Sequence, residues 1–153
     1  ITDLAEIPAR HGVSNVYADV GQLFAQTTMA EPRLAAVMLG QLIKGLGADH
    51  VCWGTDAVWT GSPQWQIEGL RRLEIPEDMQ KKFGFAPLGP ADGPIKRAIF
   101  GGNNARLYNV NQARAEAEMA GDGLTMLKAE YERSGRDPSN LRYGYVARDE
   151  VQA

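Results

Sequence analysis

Two β-rich runs constrain this chain more than any other feature. Residues 15–20 read Asn15-Val16-Tyr17-Ala18-Asp19-Val20 and residues 51–55 read Val51-Cys52-Trp53-Gly54-Thr55, each dominated by β-branched, aromatic or small apolar side chains. Between them, Glu31-Pro32 opens a helix-patterned stretch in which Leu34, Val37, Met38, Leu42 and Leu46 recur at three or four residues, and Gly45 and Gly47 end it. A strand, a helical crossover and a second strand make a βαβ unit, whose strands lie parallel with helices on their faces. Before the first run, Leu4 and Ile7 mark a helix over residues 3–10, disturbed by Pro8 and stopped by Gly12.

After the second run the pattern turns helical. Ser62 is an N-cap and Pro63 a first-turn residue for a helix over 64–73, and Pro76 starts another through Phe83. Residues 84–93 form a Pro/Gly-rich loop. A helix over 94–100 is interrupted by Gly101-Gly102 and resumes at Asn103, so 101–105 reads as a tight helix–helix junction with Arg106 tying it together. It is not a phosphate loop, because it lacks the G-x-x-x-x-G-K pattern and follows no strand. Residues 111–133 form a polar helix candidate weakened by Gly121 and Gly123, and the tail over 134–153 is polar and loop-like.

Composition narrows the function classes. With 44% hydrophobic and 23% charged residues the chain is neither disordered nor membrane-spanning, and a net charge of −3 argues against nucleic acid or an anionic membrane as partner. The single cysteine, Cys52, allows no intrachain disulfide and sits inside a strand, where a small buried hydrophobe is the expected role. No targeting motif is evident at the start, and a cytoplasmic location is the expectation. The chain begins at Ile1 within a helical pattern, and two strands are few for a sheet. Both features lead us to expect that further chain precedes it.

The second run ends in Asp56, and a carboxylate at the carboxyl end of a parallel strand is where α/β enzymes keep their chemistry. On its own an Asp after a strand is more often a turn or cap residue. The loop behind it, 57–65, carries Trp59, Ser62 and Trp65 and reads as a site rim. Trp59 is the substrate-pocket candidate and Trp65 is expected to pack its helix inward. Asp19 closes the first run in the same way. The favoured reading has it bonding the next turn, with a place in the substrate pocket as the alternative.

Three pieces in order, Trp53-Gly54-Thr55-Asp56, then Gly61-Ser62-Pro63-Gln64-Trp65-Gln66-Ile67-Glu68, then Ile99-Phe100-Gly101-Gly102-Asn103-Asn104-Ala105-Arg106-Leu107-Tyr108, resemble the carboxyl-terminal part of an amidohydrolase-related (amidohydrolase family 2) protein. Residues 15–21 resemble the seventh strand of that family's (β/α)8 TIM barrel and 51–55 the eighth. The resemblance covers residues 1–110 and implies an α/β, helix-rich architecture in which they form an incomplete TIM-barrel segment. Residues 111–153, with few large apolar residues in 111–133, read as a helical or irregular extension that lies on the barrel or meets a partner subunit, with a partly solvated tail helix as the alternative. An open sheet flank would then leave Val16, Ala18 and Val51 partly exposed.

The resemblance also implies a divalent-metal site, zinc first with manganese or iron as alternatives, in which Asp56 is both metal ligand and proton acceptor. Gly54 would leave space under the metal. The remaining ligands would lie outside this chain, because no His-x-His pair is present and His11 and His50 precede the strands rather than follow them. The implied reaction is attack of metal-activated water on a C–N or C–O bond of a small molecule. A metal-dependent non-oxidative decarboxylase of the same superfamily is the alternative chemistry, and a non-catalytic α-rich association module the alternative class. A homo-oligomer is compatible with either.

Overall fold

The computed structural model describes residues 1–135, the side chains of Val58 and Thr60 excepted. The chain divides into two compact units, Ile1–Val110 and Asn111–Ala153. The first is a helix-rich unit around two short strands: α1 (Thr2–His11), β1 (Ala18–Asp19), α2 (Gly21–Ala30), α3 (Pro32–Leu46), a 3-10 turn (Ala48–His50), β2 (Val51–Cys52), α4 (Ala57–Thr60), α5 (Pro63–Arg72), α6 (Glu77–Phe83), α7 (Pro94–Arg97), a π-helical turn (Ala98–Gly102) and α8 (Asn103–Leu107). In the second unit, α9 (Gln112–Met119) and α10 (Gly123–Arg133) are capped by the side chains of Asn111 and Asp122. The single helix expected over 111–133 is thus two, broken at 120–122, which contains Gly121 and precedes Gly123. The expectation for the tail lies outside the described residues from 136 onward.

The strands pair in parallel, Ala18 opposite Val51 and Asp19 opposite Cys52. Both are shorter than the runs that predict them. Val20 already has right-handed helical dihedrals because α2 begins at Gly21, so the ladder ends with the Val20 N–H donated to the Cys52 carbonyl at 3.1 Å. Beyond Cys52 the second run has no strand beside it on that flank and continues as an irregular segment to Asp56.

The core runs through both strands and α2, α3, α5 and α6, with Phe85 and Leu88 from the 84–93 loop plugged into it. Ala18 and Val51 are buried in it, 3% and 0% exposed, while Val16 is half-buried. The open-flank expectation therefore fails for the first two, since helices and loops of this unit cover them. The face of α3 is also turned from the expected stripe. Ala35, Ala36, Leu39 and Leu42 are buried, Leu34 is exposed, and Val37, Met38 and Leu46 are only partly covered. Small residues set this packing: a methyl on Gly45 would lie 2.2 Å from the Ala5 carbonyl oxygen, so α1 and α3 touch backbone to backbone. Burying side chains such as Leu39, Leu70 and Ile99 contributes about 1.5–3 kcal/mol each.

Helices α7 and α8 are joined without a break through the π-helical turn, and Arg97, Ala98, Gly102 and Asn103 at its two ends all have right-handed helical dihedrals. The Gly101-Gly102 pair widens the helix by a π turn instead of interrupting it. Among the described residues no helix is long and apolar enough to cross a membrane.

Candidate functional site

Asp19 and Asp56 follow the two parallel strands at the same end. Asp19 is the last residue of β1, and its Oδ1 accepts the Gly21 backbone N–H at 2.9 Å. Asp56 lies beyond β2 in the left-handed region, φ 47° and ψ 35°, a conformation that an L-residue other than Asn, Asp or Gly rarely adopts. Its Oδ2 accepts the Gln22 backbone N–H at 2.7 Å. Gly21 and Gln22 open the ten-residue α2, whose first N–H groups have no partners within the helix and carry its positive dipole end. Each strand therefore sends one carboxylate to the start of the same helix.

The two acids crowd a single point. A Cβ built on Gly21 would sit 2.8 Å from Asp56 Oδ2 and 3.3 Å from Asp19 Oδ1, and Gly21 itself has φ 21°. Gly54 makes room on the other side, where a Cβ would fall 2.6 and 2.8 Å from the two oxygens of Asp19. The space beside Gly54 is thus filled by the Asp19 carboxylate, which corrects the expectation that it lies open beneath a metal.

Three elements hold the segment that presents Asp56. The Trp53 ring packs edge-on against Phe24 of α2 at 5.7 Å and tilted against Phe100 at 5.0 Å. The Trp53 carbonyl accepts Asn104 Nδ2 at 3.0 Å. Buried Gln66 of α5 donates Nε2 to the Thr55 carbonyl at 2.8 Å. Asn103, 1% exposed, donates Nδ2 to the carbonyls of Ala48 at 2.8 Å and Val51 at 2.7 Å, and Arg106 donates to the Asp49 carbonyl. The Gly101–Arg106 stretch is therefore a helix-to-strand anchor, not the helix–helix junction expected from its small residues.

The aromatic rim departs from expectation in part. Trp59 on α4 is 79% exposed and lines neither of the cavities described below. Trp65 does not pack inward: it is more than half exposed on α5, whose buried residues are Gln66 and Leu70. Ser62 does cap α5, accepting the Gln64 N–H at 3.3 Å. A cavity of about 230 Å³ bounded by α1, β1, α2 and α3 is apolar except for Asp19. A cleft of about 310 Å³ between α2, the start of α3 and the end of α5 is lined by Arg33, Arg72 and Glu74 among others. Asp56 borders neither.

Cys52 is buried. Burial first, and the negative charge of Asp19 second, push its thiol up from the ordinary range, which disfavours the thiolate. The histidines stand elsewhere. His11 ends α1, and His50 precedes β2, its Nδ1 3.1 Å from Asp49 Oδ1, its Nε2 3.0 Å from the Ser14 carbonyl, its ring 4.6 Å from that of Tyr17. The ring's hydrogen bond is the main reason the Asp49 carboxyl is held below its usual range. Among the described residues no group of three or more His, Cys, Asp or Glu comes together around a point. Two carboxylates offer hard oxygen donors suited to a divalent cation but fewer than the three protein ligands a catalytic zinc site uses.

Sequence reasoning missed Lys96. It is fully buried, with Nζ 2.9 Å from the Arg71 carbonyl and 3.2 Å from Glu74 Oε1. Only the tertiary fold brings those acceptors together, and no local signal announces them.

Comparison of the chain with protein-family models, with curated proteins and with solved structures finds no match.

Proposed function

We propose that this chain supplies part of the active site of a metal-dependent hydrolase of the amidohydrolase-related type, as the carboxyl-terminal portion of a (β/α)8 barrel whose other strands carry the remaining ligands. The observation that carries this reading is the meeting of Asp56 and Asp19 beyond the carboxyl ends of two parallel strands, with Asp56 held in a left-handed backbone conformation.

In this reading Asp56 is ligand and general base. A divalent metal bound there would acidify its water and polarise the scissile carbonyl. Asp56 takes the proton that the water loses as its oxygen bonds to the carbonyl carbon. The same proton passes to the leaving nitrogen or oxygen as the C–N or C–O bond breaks. The Gln22 N–H fixes Asp56 Oδ2, and the amino end of α2 favours the carboxylate's charge. The related decarboxylase chemistry would use the same acid, in its protonated form, to protonate the ring carbon that bears the carboxylate, and the electrons of the breaking C–C bond would return to the ring as carbon dioxide leaves.

One observation favours the second reading, a non-catalytic α-rich association module. The Cys52 carbonyl faces β1, so those of Val51 and Trp53 face the opposite edge, where the first accepts from Asn103 and the second from Asn104. The chain thus covers with its own side chains an edge that a barrel would pair with another strand.

The test is Asp56→Asn in the full-length protein, with zinc content and hydrolysis of p-nitrophenyl acetate measured together. The hydrolase reading expects loss of both. Wild-type protein that binds no stoichiometric zinc and shows no turnover would favour the association module.

A further inference from the structure

We infer that Asp19 is a positioning residue that aims Asp56, acting through the backbone of Gly21 and Gln22. The inference rests on the hydrolase reading for its catalytic consequence but on geometry alone for the coupling.

Asp19 Oδ1 holds the Gly21 N–H at 2.9 Å, and the next N–H along, that of Gln22, holds Asp56 Oδ2 at 2.7 Å. The two peptide groups are planar and meet at the Gly21 Cα, so with the first one held only the φ and ψ of Gly21 set the direction of the second. Gly21 sits at φ 21°, a conformation that glycine tolerates without preferring, and its N–H is held by Asp19. On the far side the Asp19 carboxylate rests against Gly54, two residues before Asp56. Asp19 therefore touches both the corner that donates to Asp56 and the strand segment that carries it. A general base must be placed to within a fraction of an ångström, so a carboxylate that tilts when its donor swings loses rate without losing substrate affinity.

This role differs from a place in the substrate pocket. It asks only that Asp19 accept a hydrogen bond, not that it carry charge, so Asn should substitute for it where Ala cannot. In the full-length zinc-loaded protein, with p-nitrophenyl acetate as probe, Asp19→Ala is expected to lower kcat about 10-fold or more with KM little changed, and Asp19→Asn to recover most of that loss. Independently of turnover, amide hydrogen exchange at Gly21 and Gln22 should speed up at least about 10-fold in Asp19→Ala and much less in Asp19→Asn. If Asp19→Ala unfolds the protein, Gln22→Pro removes the donor to Asp56 at a first-turn position that tolerates proline, and the same fall in kcat is expected.

Asp19→Ala with unchanged exchange at Gln22 overturns the coupling. Asp19→Asn as impaired as Asp19→Ala also overturns it, because charge would then matter more than the hydrogen bond. Failure of the hydrolase reading looks different: Asp56→Asn would retain full turnover while the exchange result stood.

Discussion

Asp56 Oδ2 lies 2.7 Å from the backbone nitrogen of Gln22, thirty-four positions earlier in the chain. The segment leaving the second strand thereby caps the helix that follows the first. Asp56 and Asp19 both reach the start of that helix, where a Cβ on Gly21 would sit 2.8 Å from Asp56 Oδ2 and 3.3 Å from Asp19 Oδ1. In the proposed reading one atom serves both stability and chemistry, so substitutions around it should separate into those that disturb the fold and those that disturb only the acid.

Gly54→Ala belongs to the first kind. The new methyl would enter at 2.6 Å from Asp19 Oδ1, and the carboxylate must move or the strand must shift. We expect a destabilisation of about 1–3 kcal/mol, the usual cost of forcing a group into filled space. Urea denaturation followed by circular dichroism would measure it, and a midpoint equal to wild type would show that Asp19 relocates freely.

Asn103→Ala should be among the most damaging single changes in the first unit. It removes one buried amide and leaves two carbonyls, of Ala48 and Val51, without that donor. Each buried polar group left unsatisfied costs about 1–3 kcal/mol. Asn104→Ala removes a single bond to the Trp53 carbonyl from a less buried site and should cost less. Thermal melts of the two variants side by side test the ranking, which fails if Asn104→Ala is the more harmful.

How much of this was legible in the chain depends on how far apart the cooperating residues stand. Gly12 ends α1 in the left-handed conformation, Pro32 starts α3 and Ser62-Pro63 starts α5, all as local capping rules predict. The parallel pairing of the two runs follows from the crossover between them. Helix α2 is not legible, because Val20 offers no side-chain cap and Thr27 and Thr28 disfavour a helix. It forms because Phe24, Ala25 and both threonines are buried. The turned face of α3 and the exposure of Trp65 have the same origin: which side of a helix is inside is decided by its neighbours. The candidate site divides likewise. Asp56 and Asp19 stand out as strand-end acids, but their convergence on Gly21 depends on an unpredicted helix.

Lys96→Ala should destabilise by about 2–4 kcal/mol, combining a cavity with the loss of the bonds to the Arg71 carbonyl and to Glu74. Glu74 is largely exposed and can return to water, so the harm falls mainly on the carbonyl and on packing. Lys96→Met should therefore be milder than Lys96→Ala, since it refills the space. Equal losses in chemical denaturation would mean that packing contributes little there.

Stability should fall at both ends of the pH scale for separate reasons. The folded-state carboxyls of Asp49, Asp78 and Asp122 are held low, by hydrogen bonds from His50, from Arg33 and from the Thr125 backbone respectively. Their contribution is present above the unfolded value of about 3.9 and is lost as pH drops below it. Cys52 works in the opposite direction. Its thiol is pushed up by burial and by Asp19, so its contribution is complete below the unfolded value of about 8.5 and fades as pH rises past it. Melting temperature against pH should show a plateau between these limits. Cys52 should react with a disulfide reagent only as fast as the fold opens, and fast labelling of native protein would contradict its burial.

Asp56 offers the sharpest separation of fold from chemistry. Its left-handed backbone costs most residues about 1–2 kcal/mol, but Asn and Asp bear it more easily because their short polar side chains bond locally. Asn also keeps an oxygen that can accept the Gln22 N–H. Asp56→Asn should therefore fold within about 0.5–1 kcal/mol of wild type, the lost margin reflecting a neutral acceptor in place of a charged one. Asp56→Ala loses both the local bonding and the acceptor and should cost about 2–3 kcal/mol. If Asp56 is only a cap, loss of any activity should track loss of stability across the two variants. If it is the general base, Asp56→Asn should be inactive while nearly as stable as wild type, because an amide cannot take the proton. Denaturation curves and turnover measured on the same preparations decide between them.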